Sequence, residues 1–399
     1  MKHILVVGGF KFIPQKLKKY ENVKMTLLIE ASSVGKQDLT CFDRIIGVPD
    51  GAGDEEWVKS ALCIHEMDPF HAIGAYHEMN QEKACEIAGK IGLPFHNRKT
   101  IECTRDKYYM RKVLHEGGLD NTAFQVVECE NDIIDFANQH GYPVILKPVN
   151  GWASTGVSVI HSKEDVSSAV KWFNSLVDSK HMYVEEFLEG DEFSVEAFSE
   201  NGKHHIVCIT KKFKDLNHMV EMGHVLPAML DENQEISIKN LVLNALELFG
   251  VQNGGSHTEV ILTSEGPRVI ESHARLGGDC IPELIEITSG LNLLDLWARQ
   301  TLGENVLDEV INAKHEKFAS IWFNTPETRG TLVEVKGVKE LETTEGIENV
   351  WVWRPGSIMK GIQSSFTRSS YVISSGQSEQ QALERSQRAS DKLTFVVEC

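Results

Sequence analysis

Several features are missing from this 399-residue chain. No window approaches about 18 uninterrupted apolar residues, so no membrane span is expected. The opening MKHILVVGGF has an apolar run too short for a signal-peptide core and leads into a strand rather than a cleavage site. The eight cysteines (41, 63, 85, 103, 129, 208, 280 and 399) show no CxxC spacing, and they read as reduced, mostly buried thiols of a cytoplasmic protein. Basic charge is scarce: 40 Lys and Arg against 58 Asp and Glu leave a net charge of -18. That balance argues against nucleic acid or an anionic membrane as the main partner, and leaves a local basic pocket open. Neither a GxGxxG fingerprint nor the GxxxxGK[ST] of a P-loop is present. Gly8-Gly9 therefore reads as a tight turn at a strand end, without an assigned cofactor. There is no internal repeat and no low-complexity segment.

The length suggests two to three domains. Apolar runs at 3–7, 24–29, 44–48 and 72–75 read as strands alternating with polar or helical segments, which implies a parallel, Rossmann-like α/β layer over 1–98. A helix at 80–91 ends at Gly92. Another is expected at 104–116, with Thr104 as N-cap and Lys107 near a positive helix end, where it is either solvated or recruited to an anion. Strands at 124–128, 144–148 and 156–161, with helices near 132–139 and 164–176, form a small α+β unit. Lys147 ends the run PVILKP, and the loop 150–156 that follows has two glycines and two hydroxyls, including Ser154, the materials of a phosphate cover. Strands follow at 182–188, 193–198 and 205–211. A loop to Pro227 then carries Lys211, Lys212, Lys214, Glu221 and His224. Beyond a helix at 236–248, the tail from about 315 alternates strand-like runs with a helix near 379–392.

The stretch GGSHTEVILTSEGPRVIESHARLGG, 254–278, reads as two Val/Ile/Thr-rich strands around a turn at 264–267. A turn centred on Glu265 sets Glu259 opposite Glu271 and His257 opposite His273, all on one face because strand side chains alternate. Opposed Cβ atoms lie about 4.5–5.5 Å apart, and two carboxylates that close repel unless a cation or proton lies between them. The geometry suggests a metal site. Carboxylates alone suit Mg²⁺, whereas inclusion of both imidazoles would suit Zn²⁺ or Mn²⁺. Arg275 and Gly277-Gly278 follow, adding a fixed cation and accessible backbone.

Lys107, Lys147 before a Gly/Ser loop, VEEFLEGDE, and paired carboxylates on a hairpin occur in an order that resembles the ATP-grasp superfamily of carboxylate-amine ligases, and within it the L-amino-acid ligases that join two amino acids. The resemblance implies an ATP-grasp fold of mixed α/β and α+β character: a Rossmann-like domain at 1–98, an ATP-grasp region at 99–307 with a mobile lid at about 122–183, and a C-terminal subdomain at 308–399 completing a mixed sheet. It implies ATP and Mg²⁺, with Mn²⁺ as an alternative ion. Lys107, Lys147, Ser154 and Gly156 would meet phosphates, Glu185, Glu186 and Leu188 would line the adenine, and Glu192 would hold the ribose. Glu259 and Glu271 would bind metal. Arg275 would stabilise the reacting groups, and Glu221, His224, His257, His273, Gly277 and Gly278 would contact amino-acid substrates. Family members usually carry Asn where this chain has His273, which leaves the third metal ligand open. Three alternatives stand beside this reading: a ligase loading an amino acid onto a carrier protein or larger acceptor, a Zn²⁺ hydrolase using His257, Glu259, Glu271 and His273, and a catalytically silent nucleotide-binding module. The oligomeric state stays open, with a homodimer among the options.

Overall fold

The computed structural model describes residues 1–10, 12–149, 156–176, 182–215 and 220–398. Strands β1 (Lys2–Val7), β2 (Val23–Glu30), β3 (Arg44–Val48) and β4 (Ala72–Gly74) pair in parallel in the order β3-β2-β1-β4. In β1, Ile4 and Val6 enter one apolar core while Leu5 and Val7 enter another. Burial on both faces is why the strand reads as an unbroken apolar run. The chain leaves β1 through Gly8, whose φ of +76° is left-handed and against which the Asn80 side chain packs.

Helix Gln81–Ile91 ends at Gly92, also left-handed. Thr104 does not cap the helix that follows. It closes a short helix, Arg98–Cys103, and its hydroxyl returns to the Thr100 carbonyl at 3.0 Å. The next helix is Lys107–Glu116, capped by the Asp106 carboxylate, which accepts from the Tyr109 amide at 2.8 Å. An anionic oxygen at that point also complements the helix dipole, which a threonine hydroxyl does not.

Strands β5 (Phe124–Val127), β6 (Val144–Pro148), β7 (Ser158–Ile160) and β8 (Met182–Glu186) form an antiparallel sheet in the order β5-β8-β6-β7. Helices Glu130–His140 and Val166–Leu176 pack on it through Ile133, Phe136, Ala169 and Phe173.

The remaining strands are β9 (Asp191–Glu200), β10 (Lys203–Asp215), β11 (Val220–Leu226), β12 (Gly254–Thr263), β13 (Gly266–His273), β14 (Phe318–Asn324), β15 (Gly330–Lys336), β16 (Ile347–Val352), β17 (Ile358–Met359), β18 (Ser370–Gly376) and β19 (Thr394–Glu398). Eight of them form one sheet, β13-β12-β9-β10-β11-β14-β18-β16, and three form a small sheet, β17-β15-β19. The large sheet was expected to be mixed, but every described pairing in it is antiparallel. Residues 211–215 and 220–226, read from sequence as a loop, are the end of β10 and all of β11. Charged Lys212, Glu221 and His224 obscure the strand pattern because they point away from the apolar core.

Alternation divides the large sheet into two functional faces. Phe193, Val195, Ala197, Ile209, Val260 and Val269 pack on helix Glu232–Phe249 through Ile238, Val242, Ala245 and Phe249. Residues between them in sequence face the other way. Register pairs His257 with Glu196, Glu259 with Ser194, and Lys212 with His224, so these polar groups share the opposite face.

Glu259 and Glu271 are directly opposed, but not through a symmetric turn. From Thr263 and Gly266 to Val260 and Val269 the partners follow a two-residue turn, and the register shifts by one between Glu259 and Val260. Ile270 is the extra residue of a β-bulge. Without it Glu271 would pair with Thr258 and turn toward the apolar core.

Arg111, fully buried, ties this region together. Its Nη1 donates to Asp120 Oδ2 and to the Val269 carbonyl, both at 2.6 Å, and its Nη2 donates to Glu185 Oε2 at 3.1 Å. Among the described residues no helix is long and apolar enough to cross a membrane. Cys41, Cys103 and Cys208 are buried, whereas Cys63 and Cys129 are exposed, so burial of the thiols is less general than expected. Arg111→Met should leave the Asp120 carboxylate buried without its cation and take one of two cations from Glu185, at a cost of about 3–5 kcal/mol. Urea denaturation measures this, and an unchanged midpoint would remove Arg111 from the interactions that hold the fold.

Candidate active site

The site is built on the polar face of the large sheet, where like charges meet. At about 5 Å and an effective dielectric near 20, two carboxylates repel by roughly 3 kcal/mol, so Glu259 and Glu271 need cations. Lys107, first residue of its helix, supplies one: its Nζ lies 2.8 Å from Glu271 Oε2. Lys212 on β10 supplies the other, with Nζ 2.7 Å from Glu259 and from Glu192 and 3.4 Å from Glu221. Burial alone would raise both glutamate pKa values. Lys212 holds Glu259, and Lys107 holds Glu271, well below the usual carboxylate range. Both are anionic at neutral pH.

One oxygen each from Glu192, Glu221 and Glu259 lie within 4.8 Å of one another, a spacing that could hold a divalent ion. An all-oxygen donor set fits Mg²⁺ or Mn²⁺. Glu271 is not in that group. It stands across the hairpin from Glu259, against Lys107.

The histidines turn to other partners. His257 Nδ1 is 2.6 Å from Glu196 Oε1, and its Nε2 is 3.5 Å from Glu259. Burial would lower the His257 pKa, but Glu196 and Glu259 raise it to about 9. His273 lies 2.9 Å from Glu78 through Nδ1 and 3.2 Å from Glu271 through Nε2. The two rings stack with centroids 6.3 Å apart. Each imidazole is thus engaged by carboxylates on both sides, and among the described residues the set His257, Glu259, Glu271 and His273 does not gather as one group around an ion, Glu259 grouping instead with Glu192 and Glu221.

Lys147 is buried at the end of β6 and pairs with Glu185 on β8. Glu185 was expected among nucleotide contacts. Its carboxylate is instead taken up by Lys147, by Arg111 and by the Tyr183 hydroxyl at 2.8 Å. Burial draws the Lys147 pKa down, against the pull of Glu185. Ser154 and the rest of 150–155 lie outside the described residues, while Gly156 is described, with φ +74°. Glu186 and Leu188 lie on the run out of β8, where the Glu186 amide donates to the Ala123 carbonyl at 3.0 Å. Glu192 lies on β9 between Lys212 and Lys214.

At the other end, Arg275 Nε donates to Glu78 Oε2 at 3.0 Å and its Nη1 to the Leu276 carbonyl at 3.0 Å. A side chain at Gly277 would come within 2.9 Å of Glu196 and 3.1 Å of His257, whereas the space above Gly278 is open. Glu221 accepts from the Ser365 hydroxyl at 3.0 Å. His224 is buried, with Nε2 2.9 Å from Asp279. The sequence reading missed Glu78, Glu196, Asp279 and Arg368. Glu196 was accessible, because Glu192, Ser194 and Glu196 alternate with Phe193, Val195 and Ala197. Glu78 and Arg368 reach the site from distant segments and carry no local signal.

Comparison with known proteins places two stretches of the chain in known domain families. Residues 140–283 match the ATP-grasp domain and residues 322–398 match L-amino acid ligase C-terminal domain 2. The chain is 27% identical to alanine–anticapsin ligase of Bacillus subtilis (strain 168) over 61% of its length. That match takes in 56% of the relative, so the chain spans little more than half of that protein. It is 23% identical to an L-arginine-specific L-amino acid ligase of Bacillus subtilis, over 80% of this chain and 78% of that one. The structure of L-amino acid ligase from Bacillus licheniformis superposes with a TM-score of 0.86 at 21% identity, covering 100% of this chain and 99% of that one. The chain thus carries an ATP-grasp domain at 140–283 followed by an L-amino acid ligase C-terminal domain 2 at 322–398.

Proposed function

We propose that the chain is an ATP-dependent ligase that joins two amino acids, or an amino acid and another amine, through an acyl phosphate, releasing ADP and phosphate. The observation that carries this reading is the opposed pair Glu259 and Glu271, both anionic and both flanked by lysines, on the sheet face that also presents Arg275. Mg²⁺, when bound, supplies charge neutralisation for phosphate oxygens, and the carboxylates of Glu259 and Glu271 would hold it.

In this reading Lys107, Lys147, Ser154 and Gly156 meet the phosphates. Glu185 acts through Lys147 by fixing its ammonium. Glu186 and Leu188 meet adenine through backbone groups, and Glu192 meets the ribose. Phosphoryl transfer to a carboxylate builds charge on oxygens, so the protein must position the reactants and stabilise that charge. Arg275 suits this task because its fork is oriented by Glu78 and the Leu276 carbonyl. Glu221, His224, His257, His273, Gly277 and Gly278 form the substrate walls, with Glu221 as partner of an α-ammonium. A lid built from about 122–183 would close over the site and keep water from the acyl phosphate. The relatives named for alanine–anticapsin and L-arginine ligation support amino acids as the substrate class.

Incubation of the protein with ATP, Mg²⁺ and pairs of amino acids, with phosphate release and product mass as readouts, tests the reading directly. Absence of any amino-acid-dependent phosphate would refute it. Glu271→Ala should abolish Mg²⁺-dependent ADP formation, and unchanged turnover would remove the metal assignment. Arg275→Lys keeps the charge but loses the fork, and turnover should fall at least about tenfold, or 1.4 kcal/mol; wild-type kinetics would exclude the role. His273→Asn should stay active if the residue only supports metal binding, while complete inactivity would assign it to substrate or proton transfer.

A further inference from the structure

Asp279 and Cys280 are consecutive non-glycine residues with φ of +51° and +60°, lying between Gly277-Gly278 and helix Ile281–Ser289. Left-handed backbone is unfavourable for most residues bearing a Cβ, Cys280 among them, and Asp, which visits it singly at lower cost, seldom does so beside a second such residue. Helix entry accounts for part of this, since the Ile281 amide bonds the Gly278 carbonyl at 2.9 Å and the Leu284 amide bonds the Cys280 carbonyl at 3.0 Å. The rest comes from a distant segment. Arg368 sends its fork to the Asp279 carboxylate, Nη1 to Oδ2 at 2.7 Å and Nη2 to Oδ1, while His224 Nε2 approaches Oδ2 at 2.9 Å.

The same segment grips a second wall. Arg368 Nη1 also donates to the Glu221 carbonyl at 3.2 Å, and Ser365 donates to the Glu221 carboxylate at 3.0 Å. The guanidinium lies over the Phe323 ring, 3.7 Å from its centroid, and the side chain is only 9% exposed. A planar fork held on an aromatic face has one orientation, and a lysine could not reproduce its divergent bonds.

We infer that Arg368 is a positioning residue: by clamping Asp279 and Glu221 it holds the strained turn after Gly278, and through that turn the placement of Arg275 and the glycine pair. The L-amino acid ligase C-terminal domain thereby completes a substrate site whose other groups lie upstream. Asp279 serves as the handle that the clamp holds, and its left-handed backbone is the spring. The inference rests on the ligase reading given above.

Its test uses the backbone tolerance of glycine. Arg368→Gln should lower kcat for amino-acid-dependent phosphate release by about a hundredfold, the loss associated with misplacement of about 1 Å, with a smaller change in KM for ATP. Adding Asp279→Gly, which adopts positive φ without a clamp, should recover most of that loss. Crystal structures of the single and double variants report φ at residue 279 whether or not turnover is seen. Residue 279 should leave the left-handed region in Arg368→Gln and return to it in the double variant. A single variant that retains the turn, or a double variant with restored turn and no recovered turnover, overturns the inference. Wild-type protein lacking amino-acid-dependent turnover would refute the ligase reading instead, and the φ comparison would still decide the clamp. If Arg368→Gln does not fold, Arg368→Lys goes through the same comparison.

Discussion

Partly buried negative charge on one sheet face is the constraint around which this molecule is arranged. Glu192, Glu221, Glu259 and Glu271 crowd together, and each is tolerable only because an ammonium group meets it. Lys107 comes from a helix N-terminus, an unfavourable place for a cation, and Lys212 from the middle of a sheet. Neither position makes sense for the element that carries it. Both follow from the carboxylates they face, three of which, Glu192, Glu221 and Glu259, are spaced closely enough to hold a divalent ion.

The opposite face provides the rigidity. Helix Glu232–Phe249 presses on Val195, Val260 and Val269, so the strands that carry the acids are fixed from behind by apolar packing. Arg111 joins the two regions, reaching Glu185 on one side and the Val269 carbonyl on the other. The lysine expected at the phosphates and the hairpin expected at the metal are therefore anchored to one buried guanidinium. Distortion at either end would be felt at the other.

The sequence was most legible where one element carries the whole signal. Period-two alternation, read with a turn, put Glu259 opposite Glu271 and His257 opposite His273, and the register agrees. The reasoning behind it was incomplete, since a turn centred on Glu265 and a two-residue turn followed by a bulge at Ile270 give the same pairing. Strand β11 was hidden because a site-facing strand in a charged pocket looks like a polar loop. Thr104 was read as the cap where Asp106 serves, and only the three-dimensional path, which closes a short helix at Thr104, shows the difference. Glu78 and Arg368 lie about two hundred and one hundred positions from the residues they touch. Such pairings are set by tertiary packing, which local propensity does not encode.

The extra residue at Ile270 makes the side on which Glu271 lies depend on the bulge. Losing Ile270 would remove the bulge and still leave Glu271 opposite Glu259, whereas keeping Ile270 in a regular ladder would set Glu271 opposite Thr258, carrying the acid into hydrocarbon and Ile270 and Ser272 into the charged pocket. In redesign, or in comparison with other hairpins of this kind, the length of this arm and its bulge should therefore be counted together before any side chain is considered.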